Sequence, residues 1–477
     1  MSTPEYDLAI VGAGAAGLIA ADFAVQIGAR TALLESGRIG GDCTWTGCVP
    51  SKSLIRVATV AHHARIAARY GVRVSAPQVD MAQVRAYLRS TIGQIYAPTE
   101  PENLRKKGMD VFLGPTRFLD PHTIECGAQR VGSRKILLCT GAEPRTPAVL
   151  GLAAVPYATY QTIFDNDRLP RHLLVIGGGP IGCEIAQAYR RLGADVTILA
   201  EHLLPAEEPE VAAIIGRVFE EEGIQRISAR ASEVRRSGDA ITVDSNSGSA
   251  TGDLLLVATG RAPRVRGLNL EAAGVGYGDH GIEVNDRLQT RASHIYAAGD
   301  VLGGPQYSHL AGWQGFQAVR NALFPGNKRG TPEALPRITF TAPEVAQIGV
   351  TERAARDRYK DDLQIKSFDI GRVDRAVNDD DHLGLLKIIA RRSGHILGAS
   401  IVGDRAGEAI TEISVAMCNR LTLSDLASAV HPYPTYSTGV QLLATSMAVE
   451  RSFAGTSGKL IRGLSSLWRH AVHTAPL

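Results

Sequence analysis

Cysteine is scarce in this sequence. The six residues Cys43, Cys48, Cys126, Cys139, Cys183 and Cys418 are too few among 477 for a disulfide scaffold, and only Cys43 and Cys48 stand close together. In a reducing compartment such a pair is catalytic or metal-binding more often than structural. An excess of one charge is also missing: 51 Lys and Arg against 48 Asp and Glu leave +3, with no basic block, so composition makes no case for nucleic acid as a partner. No stretch of 18 apolar residues occurs, and the start, "MSTPEYDLAIVGAG", passes from a polar stub into an apolar strand without a basic n-region or cleavage site. A cytoplasmic protein is expected. What is present is 44% hydrophobic residues and 50 glycines in a chain long enough for about three globular domains.

The glycines are organised by a repeat. "DLAIVGAGAAGLIAADFAVQIGARTALLES" (7–36) aligns without gaps with "HLLVIGGGPIGCEIAQAYRRLGADVTILAE" (172–201), and each copy reads as strand, glycine turn, helix and second strand. Gly12, Gly14 and Gly17 correspond to Gly177, Gly179 and Gly182. A lone GxGxxG is weak evidence, but both copies have the strand before and the helix after that a dinucleotide fingerprint requires. The first glycine permits the turn, the second lets backbone approach a pyrophosphate, and the third lets helix and strand pack, with the helix N-terminus aimed at the phosphates.

Two such sites imply two dinucleotides, most simply a flavin and a nicotinamide. Glu35, 18 residues after Gly17, ends the second strand where a carboxylate can bind an adenosine ribose. In the second copy Ala200 holds that place, followed by Glu201 and His202, with no arginine adjacent to pair with a 2′-phosphate. NADH is therefore expected in preference to NADPH. "KILLCTG" (135–141) and "LLLVATGR" (254–261) close the two units and add Thr140, Gly141 and Gly260 to the cofactor-binding candidates, with Gly41 and Asp300, the latter just beyond the strand in "TRASHIYAAGD" (290–300). After a linker, "PGNKRGTPEALP", strands (363–370, 384–391, 396–402) and helices (405–420, 438–449) follow without a nucleotide signature.

Together with "GGDCTWTGCVPSK" (40–52), these pieces resemble the FAD-dependent pyridine nucleotide-disulfide oxidoreductases, the family of dihydrolipoamide dehydrogenase, glutathione reductase and mercuric reductase, over residues 5 to about 450. The resemblance implies an α/β fold with two Rossmann-like domains and a C-terminal α+β dimerisation domain. The expected boundaries are 1–148 and 269–330 for FAD, 149–268 for NAD(P), 331–450 for the interface and 451–477 for a helical extension. It implies a homodimer using FAD and NAD(H), with NADP(H) possible. Electrons would pass between nicotinamide, FAD and the Cys43/Cys48 pair to a small disulfide or dithiol, a lipoyl group or a metal ion. By position Cys43 is the interchange thiol and Cys48 the thiolate against the flavin, a division that thiol chemistry needs. Lys52 and Glu184 correspond to an ion pair beside the flavin. Zinc is the competing reading of a close cysteine pair, but no further Cys or Cys/His pair at ligand spacing completes a site. Asp42, where glutathione reductases usually have threonine, is expected to raise the Cys43 pKa.

The resemblance breaks in "VHPYPTYSTGVQ" (430–441). Dihydrolipoamide dehydrogenases have a histidine directly before Pro-Thr, backed by a glutamate; here Tyr433 precedes Pro434 and Thr435, and Thr438 holds the glutamate's place. The acid-base candidates are then His431, as a base, and Tyr433, a poor base at neutral pH but a usable proton donor. Mercuric reductases have a tyrosine there but also a terminal cysteine pair, whereas the last cysteine here is Cys418. The acceptor stays open. The alternatives are a quinone or metal-ion reductase that uses the flavin directly, and an FAD-binding redox switch or scaffold with little turnover. Apolar residues at helical spacing in 457–477 suggest a helix docked on its own dimer, in preference to peripheral membrane contact.

Overall fold

A computed structural model describes residues 5–326 and 328–453, so the helical extension expected over 451–477 lies, from residue 454 on, outside the described residues. The chain divides into two compact units, Met1–Leu203 with Phe219–Pro332, and Leu204–Val218 with Glu333–Leu477. Among the described residues no helix is long and apolar enough to cross a membrane.

In the first unit the strand Tyr6–Val11 is central to a seven-stranded sheet. Leu8 and Ile10 enter one apolar cluster while Ala9 and Val11 enter another, the two-sided burial expected of a parallel strand covered on both faces. It pairs in parallel with Thr31–Glu35 and Gln129–Leu138; Met109–Leu113 extends one side, and Ile295–Ala297, returning from late in the chain, pairs with Gln129–Leu138. The second nucleotide fold is a parallel sheet in the order Gln225–Ile227, Asp195–Leu199, His172–Ile176, Leu254–Val257.

The repeat holds to the level of single atoms. Gly12 and Gly177 have φ of +102° and +123°, and a Cβ on either would lie 2.3 and 2.4 Å from the carbonyl oxygens of Cys139 and Ala258, the residues after the matching strands. Only glycine can turn there. The helices that follow, Ala15–Gln26 and Pro180–Leu192, begin after Gly14 and Gly179 without a side-chain cap, so their first N–H groups point outward unclaimed by any side chain.

The second unit carries a five-stranded antiparallel sheet in the order Arg337–Thr339, Glu344–Gly349, Ile396–Gly403, Leu385–Ala390, Gln364–Phe368. The helices Ala406–Cys418, Leu423–Ser428 and Ser437–Phe453 share one apolar cluster with this sheet. Lys387 alternates to the opposite face, is buried, and sits among Glu208, Glu210 and Glu352.

Candidate active site

Cys43 lies in the short helix Gly41–Trp45, and Cys48 opens the 19-residue helix Cys48–Ile66 after Gly47. The contact with Cys48, and after it burial, drives the Cys43 pKa far above the usual thiol range. Cys48 is lowered to about 6 by that same contact, with help from the Ser308 hydroxyl and the Lys52 charge, against burial and Glu184. Its place at a helix N-terminus adds the peptide dipole. These shifts favour the thiolate at Cys48 and the protonated form at Cys43. Cys48 is also the more exposed of the two, Cys43 being half-buried.

Ser308, the first residue of the helix Ser308–Leu323, places its hydroxyl 3.3 Å from the Cys48 sulfur. Sequence reasoning missed it, since a serine 260 residues away carries no motif. Lys52, one turn into the Cys48 helix, pairs with Glu184 at 2.9 Å, and Glu184 is almost wholly buried on the helix of the second glycine loop. This contact ties the two nucleotide folds together. Trp45 donates its ring N–H to the Ile39 carbonyl at 2.7 Å and packs on Tyr96, with ring centroids 4.9 Å apart.

Asp42 departs from expectation. Burial and the Cys48 contact, not the neighbouring carboxylate, raise Cys43. The Asp42 Oδ2 atom accepts from the Tyr160 hydroxyl at 2.8 Å and from Arg261 at 3.0 Å. Asp300, expected at a cofactor edge, gives one oxygen to the same Arg261 at 2.6 Å.

Glu35 folds back on its own glycine loop: its two oxygens accept from the N–H groups of Ala13 at 2.7 Å and Gly37 at 2.6 Å. Gly41 packs against that loop, since a Cβ on it would lie 2.8 Å from the Gly14 Cα. Thr140 and Gly141 are cross-linked to Arg264, just after the strand Arg261–Pro263, through Thr140 to the Arg264 carbonyl and the Arg264 N–H to the Gly141 carbonyl, while the Gly260 carbonyl accepts from the Arg145 N–H. The premise that Glu201 lacks a cation is corrected. Arg230 pairs with its carboxylate at 2.6 Å and Arg226 reaches its carbonyl at 3.0 Å, because parallel pairing of Gln225–Ile227 with Asp195–Leu199 brings later residues alongside.

His431 and Tyr433 belong to the second unit. The His431 ring bonds the Ala429 carbonyl through Nδ1 at 3.0 Å and the Glu412 carboxyl through Nε2 at 3.1 Å. A carbonyl only accepts, so Nδ1 is the donor; Nε2 either donates to the carboxylate or accepts from Glu412, whose pKa burial raises. Neither case leaves a ring nitrogen free. A histidine–carboxylate pair thus exists, with its acid on the helix Ala406–Cys418 and not at Thr438. Tyr433 is largely exposed and donates to Asp374 at 2.6 Å, which raises its pKa.

The model for pyridine nucleotide-disulphide oxidoreductases matches residues 6–315, and that for the family's dimerisation domain matches residues 335–444. The chain belongs to the pyridine nucleotide-disulphide oxidoreductases. Among curated relatives of this family, a mercuric reductase of Lysinibacillus sphaericus is 34% identical over 449 residues, covering 92% of this chain and 82% of the relative. A dihydrolipoyl dehydrogenase of Thermus scotoductus is 32% identical over 460 residues, covering 93% and 97%. Among solved structures, LpdA of Mycobacterium tuberculosis superimposes with a TM-score of 0.85 at 29% identity over 92% of this chain and 99% of the other. The HOCl-induced flavoprotein disulfide reductase RclA of Escherichia coli gives 0.83 at 27% identity over 92% and 99%.

Members of this family of oxidoreductases use FAD and NAD(P)H. This chain fits both: two glycine turns that no other residue could make, each feeding a helix whose N-terminus no side chain caps. Gly12, Gly14, Gly17 and Glu35 would hold one dinucleotide, and Gly177, Gly179, Gly182 and Glu201 the other. A flavin bound there would supply two-electron transfer between nicotinamide and a disulfide, with Cys43 and Cys48 as the candidate pair beside it.

Proposed function

We propose that this homodimeric enzyme runs towards reduction. It spends NAD(P)H on an external acceptor that reacts with Cys43, a soft metal ion or a disulfide, in preference to oxidising a dihydrolipoyl dithiol. The proton placement carries this reading. Reduction needs a thiolate that stays charged beside the flavin site and a partner thiol that can attack or ligate, and Cys48 and Cys43 divide the work that way. Lys52 and Glu184 fix the face on which the nicotinamide fold meets the redox helix. Oxidation of a dithiol needs in addition a base to take the thiol proton, and the His431 ring is already engaged at both nitrogens. Several mercuric reductases among the relatives, 34% and 35% identical, agree with a metal-ion acceptor.

One observation favours a second reading. Contact between His431 and Glu412 would serve a dihydrolipoyl dehydrogenase if the ring gave up its Ala429 bond in the dimer. Steady-state assays with NADH and NADPH against Hg(II), glutathione disulfide, lipoamide and quinones separate the two, each repeated in the reverse direction with dihydrolipoamide and NAD⁺. The first reading requires acceptor reduction that Cys43→Ser abolishes and a reverse rate lower by about 100-fold or more, the span of a missing base. Reverse activity that dominates and collapses in His431→Ala establishes the second. Turnover that survives Cys43→Ser establishes direct exit from the flavin.

A further inference from the structure

Asp42 is one of three side chains, far apart in sequence, that meet on a single guanidinium, that of Arg261. Arg261 gives one Nη to Asp42 at 3.0 Å and the other to Asp300 at 2.6 Å, and its guanidinium carbon lies 5.1 Å from the centre of the Tyr160 ring. The Tyr160 hydroxyl closes the cluster on Asp42 at 2.8 Å. All four are largely buried, Tyr160 being 6% exposed and the side chains of Arg261, Asp300 and Asp42 17%, 15% and 25%. Arg261 is fixed in its turn, because its strand Arg261–Pro263 pairs antiparallel with Ala142–Pro144.

The helix that carries Cys43 is weak on its own. Gly41–Trp45 has five residues, starts after Gly40 without a side-chain cap, and is far shorter than a helix that holds itself in water. Its C-terminal end is anchored by Trp45 on Ile39 and Tyr96. At its N-terminal end the anchoring side chain is Asp42. Disulfide geometry tolerates only a narrow range of Cα separations, so where this helix sits decides how readily Cys43 and Cys48 close.

We propose that Asp42, pinned by Arg261 and Tyr160, is a positioning residue for the redox pair: it holds the Cys43 helix where the two sulfurs form their disulfide. The proposal rests on Cys43 and Cys48 being the redox pair. Asp42 touches no reacting atom. It raises the effective concentration of one thiol at the other, as preorganisation does elsewhere.

The test is an exchange equilibrium on the holoenzyme with dithiothreitol, read by alkylating the thiols and counting them by mass. In that reaction the Cys43–Cys48 bond breaks, the cyclic disulfide of dithiothreitol forms, and two electrons and two protons pass to the cysteines. Asp42→Asn removes the charge and keeps the shape. Removing the charge from one partner of a charge-assisted hydrogen bond shifts an equilibrium by about tenfold, so the constant for reduction is expected to rise about tenfold, about 30 mV for a two-electron couple. Arg261→Gln gives the same rise, and the double variant no more than either single one, because the residues act as one unit. Tyr160→Phe keeps the ion pair and raises the constant by less, roughly threefold. An Asp42→Asn constant within about twofold of wild type overturns the proposal, as does multiplication of the two single effects in the double variant. A lowered melting temperature with an unmoved constant marks Asp42 as merely structural and overturns it too. Should Asp42→Asn fail to fold, an unmoved constant in both Arg261→Gln and Tyr160→Phe overturns it. Failure of the wild type to form the disulfide at all would sink the redox-pair assignment instead.

Discussion

Ser308→Ala isolates one support of the Cys48 thiolate. The hydroxyl lies 3.3 Å from the sulfur, and only the charged form gains a full hydrogen bond from it. A hydrogen bond to a charged group contributes about 1.5–3 kcal/mol, and about 1.4 kcal/mol corresponds to one pKa unit. Sulfur is a diffuse acceptor, and the Cys43 thiol and Lys52 remain in place, so the lower end applies. The Cys48 midpoint should rise from about 6 to roughly 7. The sign follows from the donor: without it the thiolate loses stabilisation and holds its proton to higher pH. Iodoacetamide alkylation of the two-electron-reduced enzyme between pH 4.5 and 9, with peptide mapping to separate Cys48 from Cys43, gives the midpoint. Near pH 6.5 the variant should be alkylated several-fold more slowly at Cys48, and the two should converge above about pH 8.5. A midpoint that stays at the wild-type value, or falls, would show that Ser308 does not stabilise the thiolate.

Glu184→Gln keeps the shape but not the charge beside Lys52, and single-turnover reduction by NAD(P)H should slow on the order of 100-fold; a rate within about threefold of wild type would remove the ion pair from the reaction. Arg230→Ala should lower kcat/KM for NADPH by about tenfold or more while leaving NADH nearly unchanged, because the arginine beside Glu201 is placed to meet a 2′-phosphate. Equal losses for both nucleotides would refute that placement. Lys387→Met strands Glu208 beside Glu210 and Glu352 in the second unit and should cost about 3–5 kcal/mol in denaturant unfolding; a cost under about 1 kcal/mol would mean that solvent reaches the cluster.

How far the sequence could be read depends on the range over which each constraint acts. The glycine turns were legible because the same motif spacing recurs in both copies, each between an apolar strand and a helix, although the carbonyls that force glycine at Gly12 and Gly177 belong to Cys139 and Ala258, far along the chain. The cysteine pair and Lys52 were legible because they share one motif on consecutive helices. Asp42 was misread because the sequence shows only its neighbour, Cys43, while the groups that engage its carboxylate lie 118 and 219 residues away. Arg230 and Arg226 escaped for a similar reason, since strand pairing and not spacing brings them to Glu201. The pair at His431 was sought at Thr438, five to seven residues on, and its carboxyl group came instead from 19 residues earlier on a packed helix. Long-range side-chain contacts of this kind leave no period in a single chain.

The central claim is that electrons from nicotinamide reach Cys43 and Cys48. An anaerobic titration of the oxidised holoenzyme with NADH, quenched by a heavy-isotope alkylating agent and mapped by mass spectrometry, tests it most directly. One equivalent of NADH per protomer should open two new alkylatable thiols, at Cys43 and Cys48, with Cys126, Cys139 and Cys183 unchanged in their buried sites. NADH consumption that leaves the labelling of Cys43 and Cys48 where it stood before the titration would contradict the account.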